Sequence, residues 1–184
     1  MPSVLEEGER VHIRRVRAED EQELCTLRRD SWEFLAPWEP WPVDMSPHGS
    51  RWFQRFLSSA RRPDAEKLLV VRRDDGVVLG NVNLSQIVRG AFLSGILGYW
   101  IGAAYARQGF MQEGLELVLR HAFGTLGLHR VEANIRPENE ASLALVRRAG
   151  FAKEGFSPRY LHIAGEWRDH ERWALLVEDW RQRT

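Results

Sequence analysis

Residues 98–111 read GYWIGAAYARQGFM, and this stretch decides the fold. Its first half has the apolar composition of a buried strand, and the segment from Gly109 onward is amphipathic with a helical period. A strand that runs through a short loop into a helix leaves the first backbone N–H groups of that helix without intrahelical partners. The helix dipole adds partial positive charge at the same end. The stretch therefore predicts a site for an anion such as a pyrophosphate.

The sequence after this helix predicts a second strand and a second helix. Gly127 ends the first helix, residues 129–136 are typical of a strand, and Pro137 bounds that strand. Asn139 is a good N-cap for a short helix over 141–149. A strand–helix–strand unit of this kind predicts a right-handed crossover between two parallel strands.

The other elements are predicted from periodicity and turn signals. We expect further strands at 10–17, 68–73, 77–84, 91–102, 151–163 and 167–177, and helices at 20–35, 48–61 and 109–126. The order predicts one α+β (mixed α/β) domain over residues 1–184. Its single mixed sheet has about seven mostly antiparallel strands, with helices on both faces.

Composition excludes several classes of protein. Lys+Arg and Asp+Glu are 26 each, so bulk charge does not hold the chain on nucleic acid. The single cysteine, Cys25, rules out a disulfide framework within the chain and favours a reducing, cytoplasmic setting. We expect no signal peptide and no membrane contact, because no apolar run reaches the ~20 residues that span a bilayer. The histidines show no metal-binding spacing, so we expect no metal.

Tryptophans are the unusual feature of the composition, with eight in the chain. Trp32, Trp38 and Trp41 cluster among prolines, and rigid proline-rich loops with aromatic side chains often line a binding groove. Core filling is the alternative for each of them.

The anion loop alone does not name a ligand, because many α/β turns carry Arg and Gly. There is no G-x-G-x-x-G and no Gly-Lys-Ser/Thr, which argues against dinucleotide and P-loop folds. Residues 128–142 read LHRVEANIRPENEAS, and Leu145 and Ala149-Gly150-Phe151 follow. This pattern resembles the second strand–helix unit of the GNAT acetyltransferase superfamily.

Two more stretches resemble the RimJ/RimL branch of that superfamily, the ribosomal-protein alanine N-acetyltransferases. Residues 34–40 read FLAPWEP, and residues 165–170 read GEWRDH. The resemblance implies a sheet splayed between two central parallel strands, with acetyl-CoA in the resulting V. It implies acetyl transfer to a primary amine by direct attack in a ternary complex. The first-choice acceptor is the N-terminal alanine of a ribosomal protein. A small amine, such as an antibiotic or polyamine, and a catalytically weak CoA-binding module are the alternatives.

The resemblance also implies the contacts of acetyl-CoA. The pyrophosphate would lie on the loop 107–112, and the pantetheine arm would pair with the backbone of 99–102. The expected cofactor-binding residues are Trp100, Ile101, Gly102, Arg107, Gln108, Gly109, Phe110, Met111, Gln112 and Asn139. Ala106 stands where the family often has Gln or Arg, which removes one side chain and leaves the backbone donors in place.

The catalytic groups implied by the resemblance are Ser142 and Glu132. The family often uses a tyrosine as the general acid, in a region that here offers only Leu145. Ser142 matches the serine of RimL-like members and would protonate the CoA thiolate; its alternative is a polar role at the helix start. Glu132 would be the base; its alternative is a strand charge paired with Arg130 or Arg136.

Four residues are expected to bind the acceptor substrate: Trp38, Tyr160, Trp167 and Asp169. For Trp167 and Asp169 the alternative is a pair that anchors a hairpin. Many members of the family dimerise, so a homodimer stays open, and we expect no direct contact with nucleic acid.

Overall fold

The computed structural model describes residues 3–40 and 45–183. Residues 41–44, which include Trp41, therefore lie outside the described residues. The strands are β1 (Val4–Glu7), β2 (Val11–Arg15), β3 (Glu66–Arg72), β4 (Val78–Val88), β5 (Ser94–Ile101), β6 (Arg130–Ile135), β7 (Ala152–Ile163) and β8 (Glu166–Leu176). The helices are α1 (Glu21–Asp30), α2 (Trp32–Leu35), α3 (Ser50–Ser59), α4 (Phe110–Arg120), α5 (Glu140–Arg148) and α6 (Val177–Arg183). No helix in the described ranges is long and apolar enough to cross a membrane.

All eight strands form one sheet in the order β1-β2-β3-β4-β5-β6-β8-β7. Neighbouring strands are antiparallel except β5 and β6, which are parallel as the crossover predicts. The mixed α/β class is therefore confirmed, with eight strands instead of about seven.

The elements that differ from the prediction depend on contacts distant in sequence. β1 is only four residues long, and α6 is a polar helix that follows β8 directly. The predicted helix over 20–35 is divided at Ser31, whose buried hydroxyl accepts a hydrogen bond from the backbone N–H of Ala103 at 2.9 Å. The helix predicted to end at Leu126 keeps α-helical geometry only to Arg120 and continues as a π-helical turn.

Two apolar layers cover the faces of the sheet. On one face, α4 and α5 pack against β-strand residues, and Leu115, Val118 and Val146 are fully buried there. On the other face, α1 and α3 enclose a second cluster around Leu24, Phe53 and Trp100. Burial of these side chains is the main term that stabilises the fold.

The sheet splits between its two parallel strands. Pairing of β5 with β6 runs from Ser94–Arg130 to Leu97–Ala133 and ends there. On its other side, β5 stays paired with β4 as far as Ile101, which lies opposite Gly80. The two central strands therefore diverge after the fourth pair, which gives the expected V.

Gly80 is the residue that lets β4 and β5 remain close beside this split. A Cβ atom at this position would lie 2.2 Å from the carbonyl oxygen of Trp100 and 2.8 Å from Cα of Ile101. Both are backbone atoms, so a side chain cannot be accommodated by a rotamer change.

Gly80→Ala should therefore destabilise the protein by about 1–3 kcal/mol, the cost of overpacking. For a chain of this size, that lowers the Tm by roughly 2–12 °C, measurable by thermal unfolding. Gly124→Ala is the matched control, since its Cβ would meet nothing within 4 Å. Equal Tm values for the two variants would contradict the close approach of β4 and β5.

Candidate active site

The loop before α4 has the geometry of an anion site. Gly109 is the N-cap of α4 and has a φ of 83°, in the left-handed region that glycine adopts without strain. The first bond of the helix runs from the N–H of Glu113 to the carbonyl of Gly109 at 3.2 Å. The N–H groups of the three residues before Glu113 therefore have no partner within the helix. Arg107 also has a positive φ, 60°, and such strain in a residue other than glycine is typical of functional loops.

Arg10, on the approach to β2, holds this loop from behind. Its Nη1 donates to the carbonyl oxygen of Gln108 at 3.0 Å, and its Nε pairs with the Glu113 carboxylate at 3.2 Å. Its guanidinium also lies over the ring of Phe110, 4.7 Å from the centroid. The backbone of the loop is thus fixed before any ligand arrives.

A cleft of about 750 Å³ extends from this loop into the split of the sheet. Its first part, the cofactor limb, lies between the start of α4 and α5. It is lined by Tyr99, Ile101, Tyr105, Ala106, Arg107, Gly109, Met111, Gln112, Asn139, Glu140, Ala141, Ser142, Ala144, Leu145 and Arg148. The second part, the entrance limb, is lined by Phe34, Leu35, Trp38, Glu39, Trp100 and Glu138.

Seven of the ten expected cofactor-binding residues line the cleft: Trp100, Ile101, Arg107, Gly109, Met111, Gln112 and Asn139. Gly102, Gln108 and Phe110 are not among the lining residues. Gly102 donates its N–H to the carbonyl of Leu79 at 2.8 Å, and Gln108 and Phe110 are held by Arg10. These three support the loop and the strand end, and their contact with acetyl-CoA stays a prediction.

Ser142 and Asn139 meet at the start of α5. The Asn139 side chain accepts a hydrogen bond from the Ser142 N–H at 3.1 Å, as expected of an N-cap. The Ser142 hydroxyl is hydrogen-bonded to the Tyr99 hydroxyl on β5. Burial raises the pKa of Tyr99 to about 12, and the bond to Ser142 lowers that pKa by less. Tyr99 therefore stays protonated at neutral pH and is available as a donor to Ser142.

Tyr99 is the site residue that the sequence did not single out. It was expected to offer only its backbone to the pantetheine arm. The available signal was the strand period of two, which puts Tyr99 on the same face as buried Leu97 and thus towards α5. The sequence did not indicate a partner 43 residues away.

Glu132 has a different environment from Ser142. Its carboxylate accepts a hydrogen bond from Nε of Arg130 at 2.8 Å, and Arg130 also binds Glu154. These two carboxylates raise the pKa of Arg130, with Glu154 the larger influence. Glu132 is not among the residues that line the cleft. Its role as the base stays a prediction. The alternative is that Glu132 is a strand charge paired with Arg130.

Arg28 fixes one side of the entrance limb. Its buried guanidinium donates to the carbonyl of Pro47 at 2.6 Å and to the Glu39 carboxylate at 3.0 Å. It also contacts the rings of Trp52 and Trp100, at 4.6 Å and 5.3 Å from their centroids. Two points of the proline-rich loop are thereby tied to α1.

Arg136 fixes the other side. Its Nη1 donates to the Pro37 carbonyl at 2.6 Å, and its guanidinium lies 5.3 Å from the ring centroid of Trp38. Trp38, expected to bind the acceptor, is thus held at the mouth of the cleft by stacking.

The other expected acceptor residues lie on the β7–β8 hairpin and are not among the lining residues of the cleft. Asp169 accepts a hydrogen bond from the backbone N–H of Arg159 at 2.7 Å, which anchors a hairpin irregularity. Trp167 is 62% exposed and contacts the ring of His162. Tyr160 is also largely outside the core. Their contact with an acceptor stays a prediction.

An anion loop at a helix start, beside a split between two parallel strands, defines a CoA-dependent acyltransferase. Residues 10–152 match the acetyltransferase (GNAT) domain family, and the chain belongs to this family. Acetyl-CoA is its co-substrate, and contact of the cofactor-limb residues with it stays a prediction. In the described part of the chain, no group of three or more His, Cys, Asp or Glu side chains could hold a metal ion.

Similar proteins point to the RimJ/RimL branch. The chain is 34% identical to the [ribosomal protein uS5]-alanine N-acetyltransferase of Escherichia coli, over 98% of this chain and 94% of that protein. The structure of Mycobacterium smegmatis RimJ in complex with CoA-disulfide superimposes with a TM-score of 0.85 at 31% identity, covering 91% and 82% of the two chains. The ribosomal-protein-S5-alanine acetyltransferase of Vibrio fischeri gives 0.82 at 28% identity, covering 95% and 97%.

Tyr99→Phe should lower kcat about fivefold, because it removes one hydrogen bond worth about 1 kcal/mol. Ser142→Ala should lower kcat at least about tenfold, because it removes the same bond and also the expected proton donor. The double variant should lose little more than Ser142→Ala alone, since the two hydroxyls act as one unit. Steady-state thiol release measures all three values. Ser58→Ala, an exposed serine on α3, is the control. A loss below about threefold for Ser142→Ala would remove Ser142 from the mechanism, and multiplicative losses would show that Tyr99 acts independently.

Proposed function

We propose that this enzyme acetylates the α-amine of a protein N-terminus, with the N-terminal alanine of a ribosomal protein as its preferred acceptor. The observation that carries the proposal is the entrance limb. It opens beside the split in the sheet, and Arg28 and Arg136 hold its loop in place, so an extended chain end can enter it without reshaping the cleft. The Escherichia coli relative, a [ribosomal protein uS5]-alanine N-acetyltransferase similar over nearly its whole length, supports the same acceptor. We place the reaction in the cytoplasm, where ribosomal proteins are made.

The protonation state of the acceptor favours an α-amine. Its pKa of about 7.7–8 leaves roughly a tenth of the molecules neutral at pH 7, whereas a lysine side chain with a pKa of about 10.4 is almost wholly charged. Glu132, the carboxylate suggested as the base, is already bound to Arg130. An acceptor that loses its proton readily suits this arrangement.

The residues of the cofactor limb then have separate tasks. The helix start and Arg107 hold the pyrophosphate. The amine nitrogen attacks the thioester carbonyl carbon, the carbon–sulfur bond breaks, and the amine proton passes to water. The Ser142 hydroxyl, supported by Tyr99, donates a proton to the leaving sulfur and regains one from the water that took up the amine proton. The products are the N-acetyl peptide and CoA.

A panel of acceptors tests the proposal through release of the CoA thiol. Peptides that start with alanine and carry a ribosomal N-terminal sequence should give a kcat/KM at least ~100-fold above the same peptides with a blocked N-terminus. Aminoglycosides and polyamines should react no faster than the blocked peptides. A small amine that reacts faster than every peptide would contradict the acceptor class. Binding of acetyl-CoA without thiol release on any acceptor would contradict the catalytic function.

The pH dependence tests the role of Glu132. If the acceptor arrives neutral, kcat/KM should rise with pH through the pKa of the peptide amine, at about 7.7–8. Glu132→Gln should keep this profile, because Glu132 is bound to Arg130 outside the cleft. If Glu132→Gln instead flattens the rising limb, Glu132 is the base. A peptide whose N-terminal amine has a shifted pKa is the control, and the profile should move with it.

A further inference from the structure

Gly98 lies at the centre of the sheet and yet is exposed. It is the first residue of β5 after the last pair with β6, Leu97–Ala133. A Cβ atom added at Gly98 would meet no atom within 4 Å. A central strand is normally covered on both faces, so open space at this position is unusual. We call the space over Gly98 the slot.

The slot opens on the face opposite the Tyr99–Ser142 pair. Side chains alternate along a strand, and Trp100, two residues after Gly98, is buried in the cluster beneath α1 and α3. Gly98 therefore faces the same way as Trp100, and Tyr99 faces the cofactor limb. Trp100 also lines the cleft, whereas Gly98 is not among its lining residues, so the slot is a separate opening next to the entrance limb.

Neutral amides flank the slot on two strands. On β4, Asn83 lies directly opposite Gly98 and accepts a hydrogen bond from Nδ2 of Asn81 at 3.1 Å. On β6, Asn134 lies on the same face as the slot, because Ala133 and Ile135 on either side point into the opposite core. Strands β4 and β6 are separated only by β5, so their side chains stand ~10 Å apart across the glycine.

Two of these amide oxygens lack a donor. Oδ1 of Asn81 and Oδ1 of Asn134 are both buried without a hydrogen-bond partner. Buried carbonyl oxygens are rarely left unpaired, and such a group calls for a missing partner with N–H or O–H donors. A neutral primary amine carries two N–H donors and one lone pair. Two carbonyl acceptors would bind both donors and leave the lone pair free to attack.

The charges next to the slot favour an uncharged amine. Asn134 is paired in register with Arg172, a cation, on β8. Glu132, the carboxylate on the same face of β6, is bound to Arg130. An ammonium group in the slot would therefore lie near the positive charge of Arg172, and the nearby Glu132 carboxylate is already paired.

We propose that the slot over Gly98 receives the first residue of the acceptor, that Asn81 and Asn134 accept hydrogen bonds from its neutral amine, and that Gly98 limits the size of its side chain. The inference rests on the proposed function and narrows it to acceptors with a small first residue, such as alanine, glycine or serine. Gly98 then determines specificity, and the two asparagines position the nitrogen.

The test fills the slot with Gly98→Ala and Gly98→Val. Gly98→Ala should fold with a Tm equal to or above that of the parent protein, because the added Cβ meets no atom within 4 Å and glycine is unfavourable within a strand. We expect Gly98→Val to fold as well, because β-branched residues favour strands. Binding of acetyl-CoA should stay within about twofold. Gly124→Ala, remote from the site, is the matched control and should behave like the parent protein in the binding and activity assays.

The decisive measurement is the change in acceptor preference. Gly98→Ala should lower kcat/KM about tenfold for an alanine-initiated peptide and much less for a glycine-initiated one, and Gly98→Val should lower both at least ~100-fold. Asn134→Ala should lower kcat/KM about tenfold without weakening acetyl-CoA binding. If Gly98→Val keeps the activity and preference of the parent protein, the slot holds only water and the inference is wrong.

Failure of the proposed function gives a different result. The parent protein would then acetylate a small amine instead of the peptides. The same Gly98 variants are in that case assayed with that amine. A loss of turnover in Gly98→Val would support the slot as the binding site of the amine. Unchanged turnover would contradict that role of the slot.

Discussion

The end of the β5–β6 pairing after Leu97 and Ala133 is the constraint on which the rest of the site depends. Parallel strands in the middle of a sheet normally keep their backbone groups paired along their whole length, since an unpaired buried N–H or C=O is costly. Past Leu97, the edge of β5 that faces β6 loses its neighbour while the other edge remains paired with β4. The unpaired backbone groups along this edge can form hydrogen bonds with an extended ligand arm, so the split itself provides a binding site.

In the proposed reaction, the same strand serves both substrates because its side chains alternate. Tyr99 faces α5 and is hydrogen-bonded to Ser142, the proposed proton donor to the thiolate. Gly98, one residue earlier, faces the opposite side and leaves space there. Pairing of β5 with β6 has ended at both of these residues. Attack through the sheet needs no large movement of the protein, which agrees with an entrance loop tied down by Arg28 and Arg136.

The sequence predicted the features that depend on local signals. The glycine at the start of α4 and the N-cap of α5 have residue preferences of their own, and both are as expected. The crossover between β5 and β6 follows from the order of the elements. Contacts between distant residues were out of reach: Tyr99 with Ser142, and Arg130 with Glu154. The break at Ser31 was missed for the same reason, since its partner is the backbone of Ala103.

The arrangement of charged groups around the split favours an α-amine over a lysine side chain as the acceptor. Glu132, Glu39 and Glu138 are each paired with an arginine, while the groups at the split itself, such as Tyr99, Ser142 and Asn134, are uncharged hydroxyls and amides. If Glu132 stays bound to Arg130 and does not act as the base, the acceptor must supply its own neutral form. The pKa values of an α-amine and a lysine differ by about 2.4–2.7 units, so at pH 7 the neutral fraction differs roughly 200–400-fold. Selectivity for chain ends would therefore arise from leaving the amine unassisted, without any group that recognises the α-position.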